Sequence, residues 1–403
     1  MTDIISLAAG MPYLAIPGPS VVPDQVLRAM HHHSSNIYEG PLVDMVPTIA
    51  QDLKRVARTD QNVAIYISNG HGLWEASLEN VTSVGDQVLV AGNGRFSAGW
   101  AETARKLGRV VDVVDSGMAT PWDMDGLRAA LVADEPHDIK ALLAVHVDTS
   151  GSIRNDVPAL RALLDELAHP ALLMMDCIAS MGCETFEMDA WGVDVAITAS
   201  QKGLMMPPGL GFVFFNEKAT ERRCAQERVS PYWDWSARSN PDVFYQYFCG
   251  TAPVQQLYGL RAALDMIHDE GVENVWKRHE ILARAIWAAA EAWGQGGPLK
   301  LDVADPALRS HAVTALSLEA PDGTRLRKWC ETHLGLTLGI GLRATPWGDP
   351  EWDAHFRFGH MGHVNGHMIL GLLGGVETGL TACGIAHGSG AVEAAARVLA
   401  QNT

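Results

Sequence analysis

The chain has 403 residues, 47% apolar and 19% charged, with 30 basic residues against 47 acidic and a net charge of −17. At about 150 residues per domain this length implies two or three domains, and a core of that size excludes wholesale disorder and collagen-like or coiled-coil readings. So acidic a surface argues against nucleic acid and anionic membrane as main partners, and an anionic ligand must be met by a local device.

The chain opens Met1-Thr2-Asp3-Ile4-Ile5, without the basic and apolar regions of a signal peptide. No stretch reaches the roughly 18 uninterrupted apolar residues of a membrane span. Cys177, Cys183, Cys224, Cys249, Cys330 and Cys383 form no Cys-x-x-Cys pair, a scatter that suits a reducing compartment. These features predict a cytoplasmic location. Residues 1–20 carry Pro12, Pro17 and Pro19 and read as an extended segment.

From residue 21 to 255, short β-rich runs alternate with helical stretches. Strands are predicted over 63–68, 87–91, 110–115, 140–146, 171–176, 193–199 and 211–215. Several are continuously apolar, as in Ala171-Leu172-Leu173-Met174-Met175, which suits strands covered on both faces. Amphipathic stretches over 74–81, 100–107 and 157–168 lie between them. This order predicts an α/β large domain with a mainly parallel, seven-stranded, doubly wound sheet. Ligands of such sheets bind outside the carboxyl ends of the strands.

Three motifs fall at such ends. Ile67-Ser68-Asn69-Gly70-His71-Gly72 follows a strand and opens a helix. Outward-facing amides there, with the helix dipole, make a phosphate cradle, and a plain turn capped by Asn69 fits equally. Asp176 ends a buried run, where a carboxylate can hold a protonated ring nitrogen or cap the next turn. Ser200-Gln201-Lys202-Gly203 ends another. Desolvation would lower the pKa of Lys202 and make it a nucleophilic amine, against the plainer reading of a snorkelling side chain.

The pattern changes near residue 255. Val254 to Trp293 is almost all helix former, broken near Gly271. Short strands over 312–318 and 355–359 then alternate with helices over 324–334, 364–373 and 390–401. Residues 256–403 read as a linking helix and a small α+β domain. Arg357 sits in the apolar run Phe356-Arg357-Phe358-Gly359. Its planar fork suits a substrate carboxylate or a structural ion pair. His360, His363 and His367 raise a zinc enzyme as a different reading, but Gly359, Gly362 and Gly366 make a poor helix and no carboxylate completes the set. A phosphate turn, a strand-end Asp, a strand-end Lys and a downstream Arg are together what pyridoxal phosphate chemistry requires.

With these residues in place, the chain resembles the class V aminotransferases of fold-type I, particularly the alanine–glyoxylate and serine–glyoxylate branch. The resemblance runs from Pro17-Gly18-Pro19-Ser20 to the Arg357 motif. It is most specific from Asp176 to Gly209, which includes Met188-Asp189-Ala190-Trp191-Gly192-Val193-Asp194. It implies that Lys202 binds pyridoxal 5'-phosphate covalently and that Asp176 pairs with the ring nitrogen. Ile178 would pack on one ring face and Phe96 on the other, with the Thr149 hydroxyl near the ring. Asn69, Gly70, His71 and Gln201 would hold the phosphate, joined by Thr251 from the second subunit of a homodimer. Arg357 would bind the substrate carboxylate, and the loop Asn36-Ile37-Tyr38-Glu39-Gly40 would line the substrate pocket through Tyr38. The implied reaction is ping-pong transfer from a small amino acid such as alanine or serine to glyoxylate or pyruvate.

Departures from the family pattern are informative. Phe248 stands where relatives place Tyr three residues before the Thr, and Tyr247 is the nearest replacement. Residues 36–40 lack the His-Arg-Ser pattern of glyoxylate aminotransferases, which leaves the amino donor open. Gly359-His360-Met361-Gly362 and the stretch from Glu270 to His279 also resemble pyridoxamine–pyruvate aminotransferase, which takes the unphosphorylated vitamer and sets an acidic residue where phosphate would sit. The neutral Asn69 at that position favours a phosphate site. Leu338 to Trp347 contains no cysteine, which argues against a cysteine desulfurase.

Overall fold

The computed structural model describes residues 6–402, so the reading of the first five residues lies outside the described residues. The short strand β1 (Tyr13–Ala15) is followed by β2 (Asn62–Ser68), β3 (Gln87–Gly92), β4 (Val110–Asp115), β5 (Ile139–Val145), β6 (Leu172–Asp176), β7 (Val195–Ala199) and β8 (Gly209–Phe215). Strands β2 to β8 form one seven-stranded sheet in the order β2-β8-β7-β6-β5-β3-β4. All neighbours are parallel except β8, which runs antiparallel to both β7 and β2.

The apolar runs have a direct cause in this packing. Alternate residues of a strand face opposite sides. In β6, Leu173 and Met175 join the core on one face of the sheet, while Leu172 and Met174 join the core on the other. Both faces are covered, so no position is left for a polar residue. Edge strand β4 carries Asp112 and Asp115 and is largely open to solvent.

A second sheet is built mostly from the chain after residue 295. It contains β9 (Lys300–Leu301), β10 (Val313–Ser317), β11 (Leu336–Ile340) and β12 (His355–Gly359), in the order β1-β11-β12-β10-β9. The N-terminal segment joins it, because β1 pairs in parallel with Leu336–Leu338. This sheet has its own apolar core, including Phe356, Phe358, Leu338 and Ile369. The predicted long helix is two helices, Val254–Glu270 and Val272–Gly294. Gly271 joins them at φ 88°, a conformation that favours glycine. The helix Pro41–Ala57 was not anticipated.

The three histidines do not share a helical face. His360 follows β12 directly, His363 lies in the next loop, and the helix begins only at Gly366. His360 is instead buried between Thr314 Oγ1 and the His311 carbonyl, each at 2.9 Å. Among the described residues no group of three or more His, Cys, Asp and Glu side chains could hold a metal ion. None of the described helices is long and apolar enough to cross a membrane.

A buried carboxylate ties the two sheets together. Glu184, after β6, accepts from Ser310 Oγ at 2.8 Å and from the His311 amide at 2.5 Å, and its Oε2 lies 2.9 Å from His311 Nδ1. Burial alone would raise its pKa, but His311, Arg154 and His146 together outweigh burial and hold it at about 2, below the ordinary 4.5. A depressed folded-state pKa means stability that is full above about 4.5 and lost as pH falls through about 2. Glu184→Gln is expected to cost about 3 kcal/mol at neutral pH, as expected for one half of a broken buried pair. Urea midpoints of both proteins should converge in acid, and an equal penalty at pH 7 and pH 3 would contradict the pairing.

Candidate active site

Five strands of the large sheet point their carboxyl ends at one cavity of about 240 Å³. Residues Asn69, Gly70, His71, Phe96, Thr149, Asp176, Ile178, Gln201 and Lys202 line it together. Of the remaining predicted positions, Arg357 lies beyond the lining, close enough to repel Lys202. Tyr38 is 86% exposed and Thr251 is also exposed, both outside the lining of this single chain. Phe248 is buried in the core.

The turn after β2 opens the helix Gly70–Val81. Asn69 does cap it, with Oδ1 accepting from the amides of His71 at 3.1 Å and Gly72 at 3.4 Å. A Cβ on Gly70 would fall 2.3 Å from Ile178 Cδ1, so only bare backbone brings this helix end so near the opposite wall. Partial burial holds the His71 imidazole below its ordinary pKa, which disfavours its charged form. Lys202 is the one lysine or arginine of the lining. The Asn69–His71 end offers backbone amides at a helix N-terminus, the kind of group that suits an anion.

Lys202 follows β7 and donates from Nζ to the Pro17 carbonyl. Burial, reinforced by Arg357, lowers its pKa to about 8, with Asp176 pulling the other way. The N-terminal segment passes so close that a Cβ on Gly18 would sit 2.3 Å from Nζ, and Gly18 has φ +105°. Asp176 is 3% exposed. Its Oδ1 accepts from the Ile178 amide and its Oδ2 from Trp74 Nε1, both at 2.8 Å. Burial raises its carboxyl to about 6 against those hydrogen bonds.

Arg357, on β12, donates from Nε to Ile340 O and from Nη1 to Thr149 O, both at 2.7 Å. Among the described residues no carboxylate lies within ion-pair distance of it, although it is only 6% exposed. Burial lowers its pKa to about 10, and the charge of Asp148 opposes that shift. A buried, unpaired guanidinium is costly, and a ligand carboxylate would relieve it.

Two residues of the site went unnoticed in the sequence. Asp148 Oδ2 accepts from the amides of Phe96 and Ser97 at 2.9 and 3.2 Å, and Oδ1 from the Ser150 amide and hydroxyl. It thus anchors the start of the helix Arg95–Lys106, which carries Phe96, to the turn that carries Thr149. A Cβ on Gly94 would lie 2.3 Å from Asp148 Cγ, which explains the glycine. The other is Trp74, one helical turn beyond the Asn69 turn. Its adjacency to that turn was the available signal.

Fold and site together place a buried lysine amine, a buried carboxyl and a helix N-terminus around one cavity, beside a guanidinium without an ion-pair partner among the described residues. The family model Aminotransferase class-V matches residues 12–344. The chain belongs to the class V aminotransferases, a pyridoxal phosphate-dependent family of transaminases. The serine–glyoxylate aminotransferase of Methylorubrum extorquens is 36% identical over 404 residues, covering 98% of this chain and 97% of its own. The L-aspartate–glyoxylate aminotransferase of Paracoccus denitrificans is 34% identical, covering 88% and 87%. The crystal structure of an alanine–glyoxylate aminotransferase from Nostoc sp. superposes with a TM-score of 0.83 at 26% identity, covering 94% and 97%.

Proposed function

We propose that this aminotransferase moves an amino group from a small amino acid, alanine, serine or a similar donor, to a small 2-oxo acid, glyoxylate or pyruvate. The observation that carries the reading is the convergence of Lys202 and Asp176 on one cavity beside the unpaired guanidinium of Arg357. The names of the relatives favour glyoxylate as acceptor: it recurs in all three while the donor changes from serine to aspartate to alanine.

The residues present fit pyridoxal phosphate. The helix end at Asn69–His71, which bare backbone at Gly70 brings close to Ile178, and the amide N–H of the Gln201 side chain would hold the phosphate group. Phe96 and Ile178 would enclose the ring, Thr149 would stand beside it, and Asp176 would keep a proton on its nitrogen. When bound, the cofactor supplies an electron sink for the carbon that loses its proton. Lys202, with its pKa near 8, is the amine that anchors the cofactor and takes and returns the substrate Cα proton. Arg357 grips the substrate carboxylate and thereby aims that Cα proton at Nζ.

The working unit in this reading is a cytoplasmic homodimer. Residues 21–255 would form a large cofactor domain and 256–403 a linking helix and small domain, and of the N-terminal segment Pro17 and Gly18 lie against Lys202. Asn69 and Thr251 are both exposed in the single chain, which suits a phosphate end completed by the partner subunit's Thr251. The amino-donor loop with Tyr38 would reach a site in the same way.

The test is a half-reaction screen. Protein loaded with pyridoxal phosphate should absorb in the visible range, and borohydride should fix the cofactor to Lys202. Alanine, serine and aspartate are then mixed with it singly, and the band should fade with the true donor and return with glyoxylate. A loaded protein whose band responds to no small amino acid would overturn the substrate reading.

A further inference from the structure

The hydrogen bond between Trp74 and Asp176 bears on how the ring-nitrogen partner is prepared, and it rests on the functional reading above. Asp176 is buried at the end of β6, and both of its oxygens already accept one neutral N–H. Indole N–H is a donor only, so it bonds an oxygen lone pair and offers no lone pair in return. With Oδ1 tied to Ile178 and Oδ2 tied to Trp74, the carboxyl plane cannot turn. Each oxygen keeps lone-pair capacity for the cavity it lines.

The donor is itself held rigid. Trp74 is 2% exposed. Its ring stacks on Trp100 at 6.5 Å, meets Phe96 edge-on at 6.4 Å and lies 4.5 Å from the His71 ring. Its far edge is wedged against the next helix: a Cβ on Gly99 would approach Cη2 and Cζ3 to 3.1 Å. Trp74 also belongs to the helix whose first turn faces the proposed phosphate position. One helix therefore addresses the two ends of the cofactor cavity.

The other groups that act on Asp176 divide by sign. Lys202 favours its charged form, while Asp148 opposes it, and Cys177, next in the chain, is a buried neutral thiol. The apoprotein has little charge to spare for keeping this acid ionised, so neutral donors carry that task.

We propose that Trp74 is a positioning residue for Asp176: its indole N–H holds the carboxylate ionised and aimed into the cavity, ready for a protonated ring nitrogen. Trp74→Phe keeps an aromatic ring and removes the donor. The experiment measures pyridoxal phosphate dissociation constants by fluorescence quenching from about pH 5 to about pH 9. It compares wild type, Trp74→Phe, Asp176→Asn and the double variant.

Trp74→Phe is expected to weaken binding about tenfold, the size of one charge-assisted hydrogen bond. The acid-side loss of affinity should move up by about one pH unit. In the Asp176→Asn background the same substitution should change affinity by less than about twofold, since the negative charge that the indole N–H supports is already gone. An equal loss in both backgrounds would show that the indole acts through packing and would overturn the proposal. So would a wild-type pH profile in Trp74→Phe.

Should Trp74→Phe fail to fold, Trp74→benzothienylalanine preserves the shape and lacks the N–H. It must show the same pH shift, and a wild-type profile there overturns the proposal. A wild-type protein that binds no pyridoxal phosphate at all would remove the functional reading and this inference with it. A wild-type protein that binds, beside an unshifted variant, would remove only the inference.

Discussion

Lys202→Ala is expected to lower steady turnover by at least about a thousandfold, because in the proposed mechanism one amine would serve both as cofactor anchor and as proton carrier. Cofactor binding should persist in part, held by the helix end at Asn69–His71 and by Gln201. The variant should therefore take up pyridoxal phosphate without the lysine-linked absorbance of the wild type. In the wild type, covalent capture of the cofactor needs the neutral amine. Its rate should rise with pH and level off above about 8, the value to which burial lowers Lys202. Stopped-flow absorbance follows this directly. A variant retaining a tenth of wild-type turnover, or a capture rate that falls over that range, would contradict the assignment.

Arg357→Ala is expected to have the second largest effect, about a hundredfold in kcat/KM for amino donor and oxo-acid acceptor alike, as charge-assisted hydrogen bonds are lost. The loss should appear for both substrates because both present a carboxylate to the same fork. Arg357→Lys should recover only part, since an ammonium cannot make the bidentate contact. Arg357 also donates to Ile340 O and Thr149 O, so part of the damage could arise from those carbonyls. Thermal midpoint and cofactor absorbance separate that contribution. If kinetics with both substrates were unchanged, the clamp assignment would be wrong.

Most strands of the large sheet were legible because their information is local. Ala171-Leu172-Leu173-Met174-Met175 and its neighbours are apolar at every position, the mark of burial on both faces, and their ends then point to Asp176 and Lys202. The Asn69 turn was legible for the same reason, as small residues between a strand and a helix. The helix Pro41–Ala57 was not. Leu42, Val46, Ile49, Leu53 and Val56 do repeat at helical spacing, but Pro47 lies inside the helix and reads in sequence as a breaker. The glycines Gly359, Gly362 and Gly366, which told against a shared histidine face in the sequence, leave only His367 inside a helix.

By itself the sequence determined the α/β class, the order of the strands in the chain, and the residues at their carboxyl ends. All of these follow from burial pattern and turn chemistry within a few residues. Only the tertiary structure decided which of those ends meet. The parallel order β7-β6-β5-β3 depends on crossovers, and it brings Asp176 and Lys202 to one cavity. The contacts of Trp74 with Asp176, of Asp148 with the Phe96 turn, of Pro17 with Lys202 and of β1 with Leu336–Leu338 join residues far apart in the chain. No periodicity encodes such pairs, because they form only where separately stable elements close on one another. The absence of an ion-pair partner for Arg357 among the described carboxylates is likewise a property of the assembled site, and it is the local device by which an acidic chain would receive an anion.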